Sequence, residues 1–283
     1  MNSAISVIIP IYKDWERLRL CLDALERQTL PADRFEILVA NNEPEGHCPL
    51  ERLPPNARIL HEPSPGSYAA RNTAVGQSQG RWLAFTDGDC IPDKDWLARG
   101  LELLERHPEE RITGPVSIFR EEGSDYYAYL FDAHTAFPQE QYARDGVCVT
   151  ANLLVSRAVF DRVGPFEQTM SGGDWEWNMR AHKMGVPIRY DSGVVVAHPA
   201  RRTLAEIFKK RRRVAGSIAQ NRKRSLPIYV LGRIKPPRRL PFKRSNLGWR
   251  DWSALYLIAW AKGLVEAHEF SLVKLKLKRP NRA

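Results

Sequence analysis

Cysteine is scarce in this chain of 283 residues, and the four present, Cys21, Cys48, Cys90 and Cys148, form neither a C-x-x-C pair nor a zinc-like spacing. A disulfide scaffold and a structural metal cluster are thereby excluded, and a reducing, cytoplasmic setting is the expectation. Long apolar runs are missing too, since no stretch reaches the roughly 18 uncharged residues that a membrane-spanning helix needs. The apolar start at 4–11 lacks a basic region before it and runs straight into Lys13-Asp14-Trp15-Glu16, so it reads as a strand rather than a secretory signal. There is no Gly-x-Ser-x-Gly nucleophile elbow, no helix-turn-helix or RNA-binding signature, and no internal repeat. What is present, 43% hydrophobic residues, supplies a substantial core and excludes disorder for most of the chain.

Acidic residues are nearly absent from one region. Residues 1–200 carry a balance of −9, residues 201–250 carry +16 with Glu206 as the one acid, and the last 33 carry +3. The pI of 9.6 therefore belongs to the tail, which attracts polyanions generally. Aromatic residues are sparse between those charges, so nucleic acid is not the expected partner, and an anionic membrane surface is the stronger candidate.

Over the first 120 residues strand patterns alternate with helix patterns. Apolar strands fall at 5–9, 35–40, 58–61 and 81–86, and helices follow after Asp14, at 66–78 and after Asp93, with the two aspartates as N-caps. This rhythm predicts βαβ units and a mostly parallel sheet, whose ligands bind beyond the carboxyl ends of the strands. Past an aromatic stretch, a strand is expected at 152–155, helices near 156–163 and 174–184, and a strand at 188–197 that ends at His198-Pro199. Thr203-Leu204-Ala205-Glu206 has the form of a capping box opening a basic helix that Pro227 stops, and 226–247 reads as an irregular Pro-rich linker. Residues 249–271 set Trp252, Leu255, Tyr256, Ala259, Trp260, Gly263, Leu264 and Ala267 along one helical stripe beside basic flanks. Such a helix either lies in a bilayer interface or packs on protein. The expected division is a catalytic domain at 1–200, a basic helix and linker at 201–248, and an amphipathic helix with a basic tail at 249–283.

Asp87-Gly88-Asp89 closes the 81–86 strand. A D-x-D pattern occurs by chance on the order of once in such a chain, but at a strand's carboxyl end it can present oxygen ligands to a hard divalent cation that bridges phosphates. Gly172-Gly173-Asp174-Trp175-Glu176 opens a helix, so Asp174 can be held as a carboxylate by the helix N-terminus and accept a proton. His198, after an apolar strand, is a candidate to complete a metal shell that already holds a carboxylate.

These residues resemble the inverting family-2 glycosyltransferases of the GT-A fold. The resemblance rests on Val7-Ile8-Ile9-Pro10-Ile11-Tyr12, Glu36-Ile37-Leu38-Val39-Ala40-Asn41-Asn42, Ala70-Arg71-Asn72, Asp87-Gly88-Asp89, and Gly173-Asp174-Trp175-Glu176 with Arg180 and His198, over roughly residues 4–212. It implies an α/β fold with a mostly parallel sheet flanked by helices, carrying a basic helical C-terminal extension. It also implies a nucleotide-sugar donor held by Pro10, Tyr12, Asn41, Arg71 and Asp87. Asp89 and His198 would ligate Mg2+ or Mn2+, Asp174 would be the general base, and Glu176 would support it on the acceptor side. Asn152, Trp175 and Arg180 are candidate acceptor contacts. Asn41 stands where the family usually has aspartate, and Asn42-Glu43-Pro44 departs from the usual Asn-Gly-Ser. The expected acceptor is a glycan or lipid-linked hydroxyl, reached from the cytoplasm or from the inner membrane face. A nucleotidyltransferase is the closest rival, but it would show a glycine-rich loop ending in Arg or Lys after Val7-Ile8-Ile9, and none is there. A partner-binding protein on an inactive GT-A scaffold is the other alternative.

Overall fold

The first strand, β1 (Ile5–Ile11), has a parallel neighbour on each side, which is why its apolar run shows no polar alternation. The computed structural model describes residues 4–169, 171–221, 225–238 and 247–279. After β1 come α1 (Trp15–Glu26), β2 (Phe35–Asn41), β3 (Ala57–His61), α2 (Ser67–Gln77), β4 (Trp82–Phe85), the short β5 (Ile91–Pro92) and α3 (Trp96–Arg106). Next are β6 (Arg111–Thr113), β7 (Val116–Phe119), α4 (Tyr126–Thr135), α5 (Gln139–Arg144), β8 (Leu153–Ser156), α6 (Arg157–Val163) and α7 (Gly173–Lys183). The chain ends with β9 (Ile188–Tyr190), β10 (Val196–Pro199), α8 (Leu204–Asn221), α9 (Leu226–Ile234) and α10 (Trp249–Lys274).

Seven strands form one sheet in the order β3-β2-β1-β4-β8-β6-β9, in which β8 alone runs against the rest. Because side chains alternate across a strand, odd and even positions supply different cores. Val7, Ile9, Ile37, Val39 and Ala84 pack with Leu18, Leu25, Trp96 and Leu104 of α1 and α3. Ile8, Leu38, Leu83, Phe85 and Leu153 pack on the opposite face with Ala70, Ala74, Phe160 and Trp177 of α2, α6 and α7. The predicted mixed α/β architecture is thus present.

The chain divides into two units, Met1–Ser117 with Phe137–His198, and Ile118–Ala136 with Pro199–Ala283. The second unit takes 118–136, including α4, together with the C-terminal helices α8, α9 and α10. In that second unit Ala128, Phe131, Ile207, Leu255 and Ile258 make one small core, and Ala215, Ala219, Tyr229, Phe270 and Val273 make another.

Several local expectations differ. Asp14 precedes α1 but makes no side-chain cap and instead binds Arg17 at 2.9 Å. The residue before α3 is Asp95, whose backbone N–H donates to Asp93 Oδ1 at 3.0 Å, so Asp93 shapes the turn and does not cap the helix. The expected 188–197 strand is two strands, because Asp191 folds the backbone into a turn, its Oδ1 accepting from Gly193 N–H at 2.9 Å. Only half of the capping box forms: Thr203 Oγ1 accepts from Glu206 N–H at 3.2 Å, while the Glu206 carboxylate takes Arg202 N–H at 2.9 Å. Part of the expected linker is helix α9, where Pro227 sits at the helix start and costs no hydrogen bond. The basic residues 222–224 and the linker at 239–246 lie outside the described residues. In α10 the buried side is Leu255, Ile258, Gly263, Glu266, Ala267, Glu269, Phe270 and Val273, packed against α8 and α9. The stripe expected of α10 therefore faces protein at Leu255, Gly263 and Ala267 and faces outward at Leu264. Among the described residues no helix is long and apolar enough to cross a membrane.

Candidate active site

The carboxyl ends of β1 and β4 and the start of α2 surround a cavity of about 310 Å³ lined by Pro10, Ile11, Tyr12, Asp14, Asn42, Ser67, Arg71, Asp87, Gly88 and Asp89. The Asp87-Gly88-Asp89 turn lies close over the end of β1: a Cβ at Gly88 would stand 3.1 Å from Ile11 Cδ1 and 3.4 Å from the Pro10 carbonyl, so a side chain there would require the Ile11 side chain to give way slightly. Tyr12 is exposed beside the cavity, with its ring free for stacking and the Lys13 ammonium 5.3 Å from its centroid.

Arg71, buried on α2, forms an ion pair with Asp87 and lies 5.4 Å from the Tyr68 ring centroid. Its Nε is withdrawn from water and has no hydrogen-bond partner among the described residues. A buried donor left open costs about 1–3 kcal/mol, and Arg71 is at the same time one of the residues that line the cavity. Asp89 Oδ2 stands 3.5 Å from His198 Nε2, and the Phe137 ring, 4.9 Å from the imidazole, walls one side. Burial pushes the Asp89 carboxyl above the usual carboxylate range, with His198 acting against this and the Asp87 carboxylate in its favour. Ligand atoms of Asp89, Cys90 and His198 lie within 4.8 Å of one another. Burial, assisted by Asp89 and Asp87, pushes the Cys90 thiol far up, so it remains a thiol donating to Asp89 Oδ1 at 4.0 Å. The pair that suits a hard cation is a carboxylate and an imidazole, and it needs oxygens from substrate and water to complete the shell.

Asp174, in the first turn of α7, receives two hydrogen bonds on Oδ1: the Tyr68 phenol at 3.0 Å and the Trp175 N–H at 2.8 Å. Burial and the Asp174 carboxylate push the Tyr68 phenol far up, keeping it a proton donor to that carboxylate. Gly173 is required by this contact, since a Cβ there would meet the Tyr68 ring at 2.8 Å. Asp87, Arg71, Tyr68 and Asp174 thus form a continuous chain of contacts from the DGD turn to the helix that opens on Asp174. Trp175 is 41% exposed and meets the Tyr142 ring edge-on at 6.2 Å, giving an open aromatic surface next to the carboxylate.

Other predicted site residues have different work. Asn41 is fully buried with both amide atoms engaged, Nδ2 donating to His47 O at 2.8 Å and Oδ1 accepting from Glu43 N–H at 2.9 Å. The neighbour that lines the cavity is Asn42, tied to Glu62 O, Ser64 O and Gly66 N–H. Asn152 is no acceptor contact: Oδ1 takes Trp96 Nε1–H at 2.9 Å, and Nδ2 donates to Pro115 O and Val194 O. Glu176 and Arg180 pair bidentately one turn apart, and Arg180 also donates to Val163 O and Pro165 O. Two residues along a helix are turned by about 200°, so Glu176 points away from the side on which Asp174 meets Tyr68 and serves to anchor α7.

Sequence reasoning missed Tyr68, although its i, i+3 spacing to Arg71 set the two on one face of α2. It also missed Arg111, which is fully buried yet forms no ion pair among the described residues: it donates to Gly146 O, Val186 O and Asn178 Oδ1, while Asn178 Nδ2 donates to Asp174 O at 2.9 Å. This linkage holds the first turn of α7 in place.

The family described as Glycosyl transferase family 2 matches residues 6–164. Glycosyltransferase AglE of Haloferax volcanii is 34% identical over 238 residues, covering 81% of this chain and 75% of that protein. The pre-mycofactocin glycosyltransferase of Mycobacterium tuberculosis is 26% identical over 247 residues, which span 81% of this chain and half (50%) of the relative's length. Among solved structures, the mannosyltransferase PcManGT of Pyrobaculum calidifontis in complex with GDP-Man and Mn2+ aligns with a TM-score of 0.54 at 19% identity, covering 98% of this chain and 76% of that one. S. aureus TarS 1–349 in complex with UDP-GlcNAc gives 0.53 at 15% identity, covering 96% and 91% respectively. The fold is the GT-A fold, and the chain belongs to glycosyl transferase family 2 and is a glycosyltransferase.

Proposed function

We propose that the protein moves a sugar from a nucleoside-diphosphate sugar to a hydroxyl of a glycan or lipid-linked acceptor, by one inverting displacement that depends on Mg2+ or Mn2+. The observation that carries this reading is the meeting of Asp89 and His198 at 3.5 Å beside a cavity lined by Asp89 and by the paired Arg71 and Asp87.

In this reading Tyr12 and Pro10 receive the base at the end of β1, and Arg71, braced by Asp87, binds the donor diphosphate. Asp89 and His198 would hold the divalent cation, which when bound offsets the negative charge of the departing diphosphate. Arg71 contributes to the same end from the protein side, fixed before the reaction begins and so without reorganisation. Asp174 Oδ1 is committed to Tyr68 and Trp175, so Oδ2 is the atom that takes the acceptor hydroxyl's proton as that oxygen attacks the anomeric carbon. Trp175 supplies an aromatic surface for the acceptor. Because attack comes from the face opposite the leaving diphosphate, a single displacement inverts the anomeric centre, and no enzyme nucleophile takes part.

The test is calorimetric titration of UDP and GDP into the protein with Mn2+ and with chelator, for wild type and Asp89→Ala. Binding is expected only with the cation and only in wild type. Equal affinity in chelator would remove the metal from the reading, and undiminished binding by the variant would remove Asp89 from the metal site.

A further inference from the structure

Helix α9 is seated in an unusual sense. The side turned toward α10 carries an aromatic and a charged residue: Tyr229 stacks on Phe270 with centroids 3.9 Å apart, and Arg233 Nε pairs with Glu266 at 2.8 Å. Its carboxyl end is fastened by Trp260 Nε1–H donating to Ile234 O at 2.9 Å, and Gly263 admits the Arg233 carbonyl to within 2.5 Å of where a Cβ would stand. The outward side is apolar: Ile228 is 76% exposed, Leu231 53% and Ile234 40%, at successive three-residue steps. A helix facing water has the opposite arrangement, polar side out. At nine residues, about 14 Å long, it is too short to span a bilayer and suited to lying along one.

The surrounding charge identifies what covers this face. Lys235 and Arg238 follow the helix, Arg222, Lys223 and Arg224 precede it in sequence, and the whole segment 201–250 carries +16. A second copy of the chain would bring the same positive charge and be repelled, whereas an anionic surface with an apolar interior satisfies both features at once. We infer that α9 lies in the headgroup boundary of an anionic lipid bilayer, with Ile228, Leu231 and Ile234 among the acyl chains and Lys235 and Arg238 on lipid phosphates. This places attachment at α9, where the sequence pattern offers α10 as either a bilayer-interface helix or one packed on protein. The inference stands apart from the proposed transfer chemistry, since a protein that bound no nucleotide would still bind lipid through this helix.

Sedimentation of the full chain with phosphatidylcholine vesicles, with and without about one third phosphatidylglycerol, tests it. Wild type is expected to partition onto the anionic vesicles and not onto the neutral ones. Ile228→Ser/Leu231→Ser/Ile234→Ser is expected to lose about tenfold or more in partitioning, since three apolar side chains no longer leave water. Lys235→Glu/Arg238→Glu is expected to lose the preference for anionic lipid. All three substituted apolar side chains face outward, so unchanged circular dichroism serves as the fold control. Failure of wild type to bind anionic vesicles, or equal binding by the triple variant, overturns the inference. A concentration-dependent dimer in gel filtration that the triple variant abolishes, without vesicle binding, would assign the face to a second copy instead.

Discussion

The side chains that the first unit withdraws from water are overwhelmingly apolar, from Ile5 on β1 to Val196 on β10, and its polar chemistry gathers where strands end. The second unit buries three carboxylates, Asp132 under Arg201, Glu266 under Arg211 and Arg233, and Glu269 under Lys278, while Ile228, Leu231, Trp249 and Leu257 face outward. One region uses apolar burial to build its frame, with Arg111 as a buried charge inside it, and lines its cavity with Arg71, Asp87 and Asp89. The other holds its helices together partly through ion pairs, which need good geometry merely to offset the cost of desolvation, and turns some of its large apolar residues outward. Substitutions of the first unit's cavity-side polar residues should therefore alter turnover and spare the fold, and those in the second unit should alter stability or surface binding and spare nucleotide affinity.

The largest effect is expected at Asp174→Asn: turnover should fall by about three orders of magnitude, within the span typical of a lost general base, with nucleoside-diphosphate affinity retained in calorimetry. Full activity in that variant would disqualify Asp174. In the second unit, Glu266→Ala leaves Arg211 and Arg233 facing each other without their carboxylate, and chemical denaturation should show a loss of about 3 kcal/mol. An unchanged midpoint would mean that these ion pairs do not hold α8, α9 and α10 together.

A smaller change is expected at Tyr68→Phe, which removes one of the two donors to Asp174 Oδ1. Turnover should drop about tenfold, the cost of one hydrogen bond to a charged group, while the donor KM stays put. Gly173→Ala should reproduce the loss by pushing the Tyr68 ring aside. A shift in KM alone would place Tyr68 in donor binding instead. The subtlest test concerns Lys210 in the second unit, whose ammonium is pushed down to about 7 by burial, with Arg201 acting in the same direction and Asp132 against. Its folded pKa is below the unfolded one, so the unfolded chain binds more protons between about 7 and 10.5, and stability should rise with pH across that window. Lys210→Met should flatten the rise in thermal midpoint, and identical slopes in both proteins would contradict the assignment.

Much of the frame was legible because strands buried on both faces leave a continuous apolar signature, and β1, β2 and β4 came out close to where that signature set them. Asp87 and Asp89 could be singled out from position, since the carboxyl end of a parallel strand faces the ligand cleft, whereas Arg71, on α2, came only from the family resemblance. Asn152 and Asn41 were misjudged for one reason: an amide that organises buried backbone and one that touches substrate are the same letter, and only the partners at 2.8–3.1 Å distinguish them. Glu176, which the resemblance put on the acceptor side, pairs with Arg180 one turn on, and helix geometry turns it away from Asp174.

The succession of strands and helices, the family and the stations of the DGD and Gly-Gly-Asp turns followed from the chain itself, because alternation, turn residues and local caps act over a few residues and leave their record in order and spacing. The approach of Asp89 to His198, 109 positions further on, the Tyr68 bond to Asp174 and the outward seating of α9 came only with tertiary structure. Each depends on which faces meet once separate elements pack, and that choice is made by the whole core at once and not by any local segment.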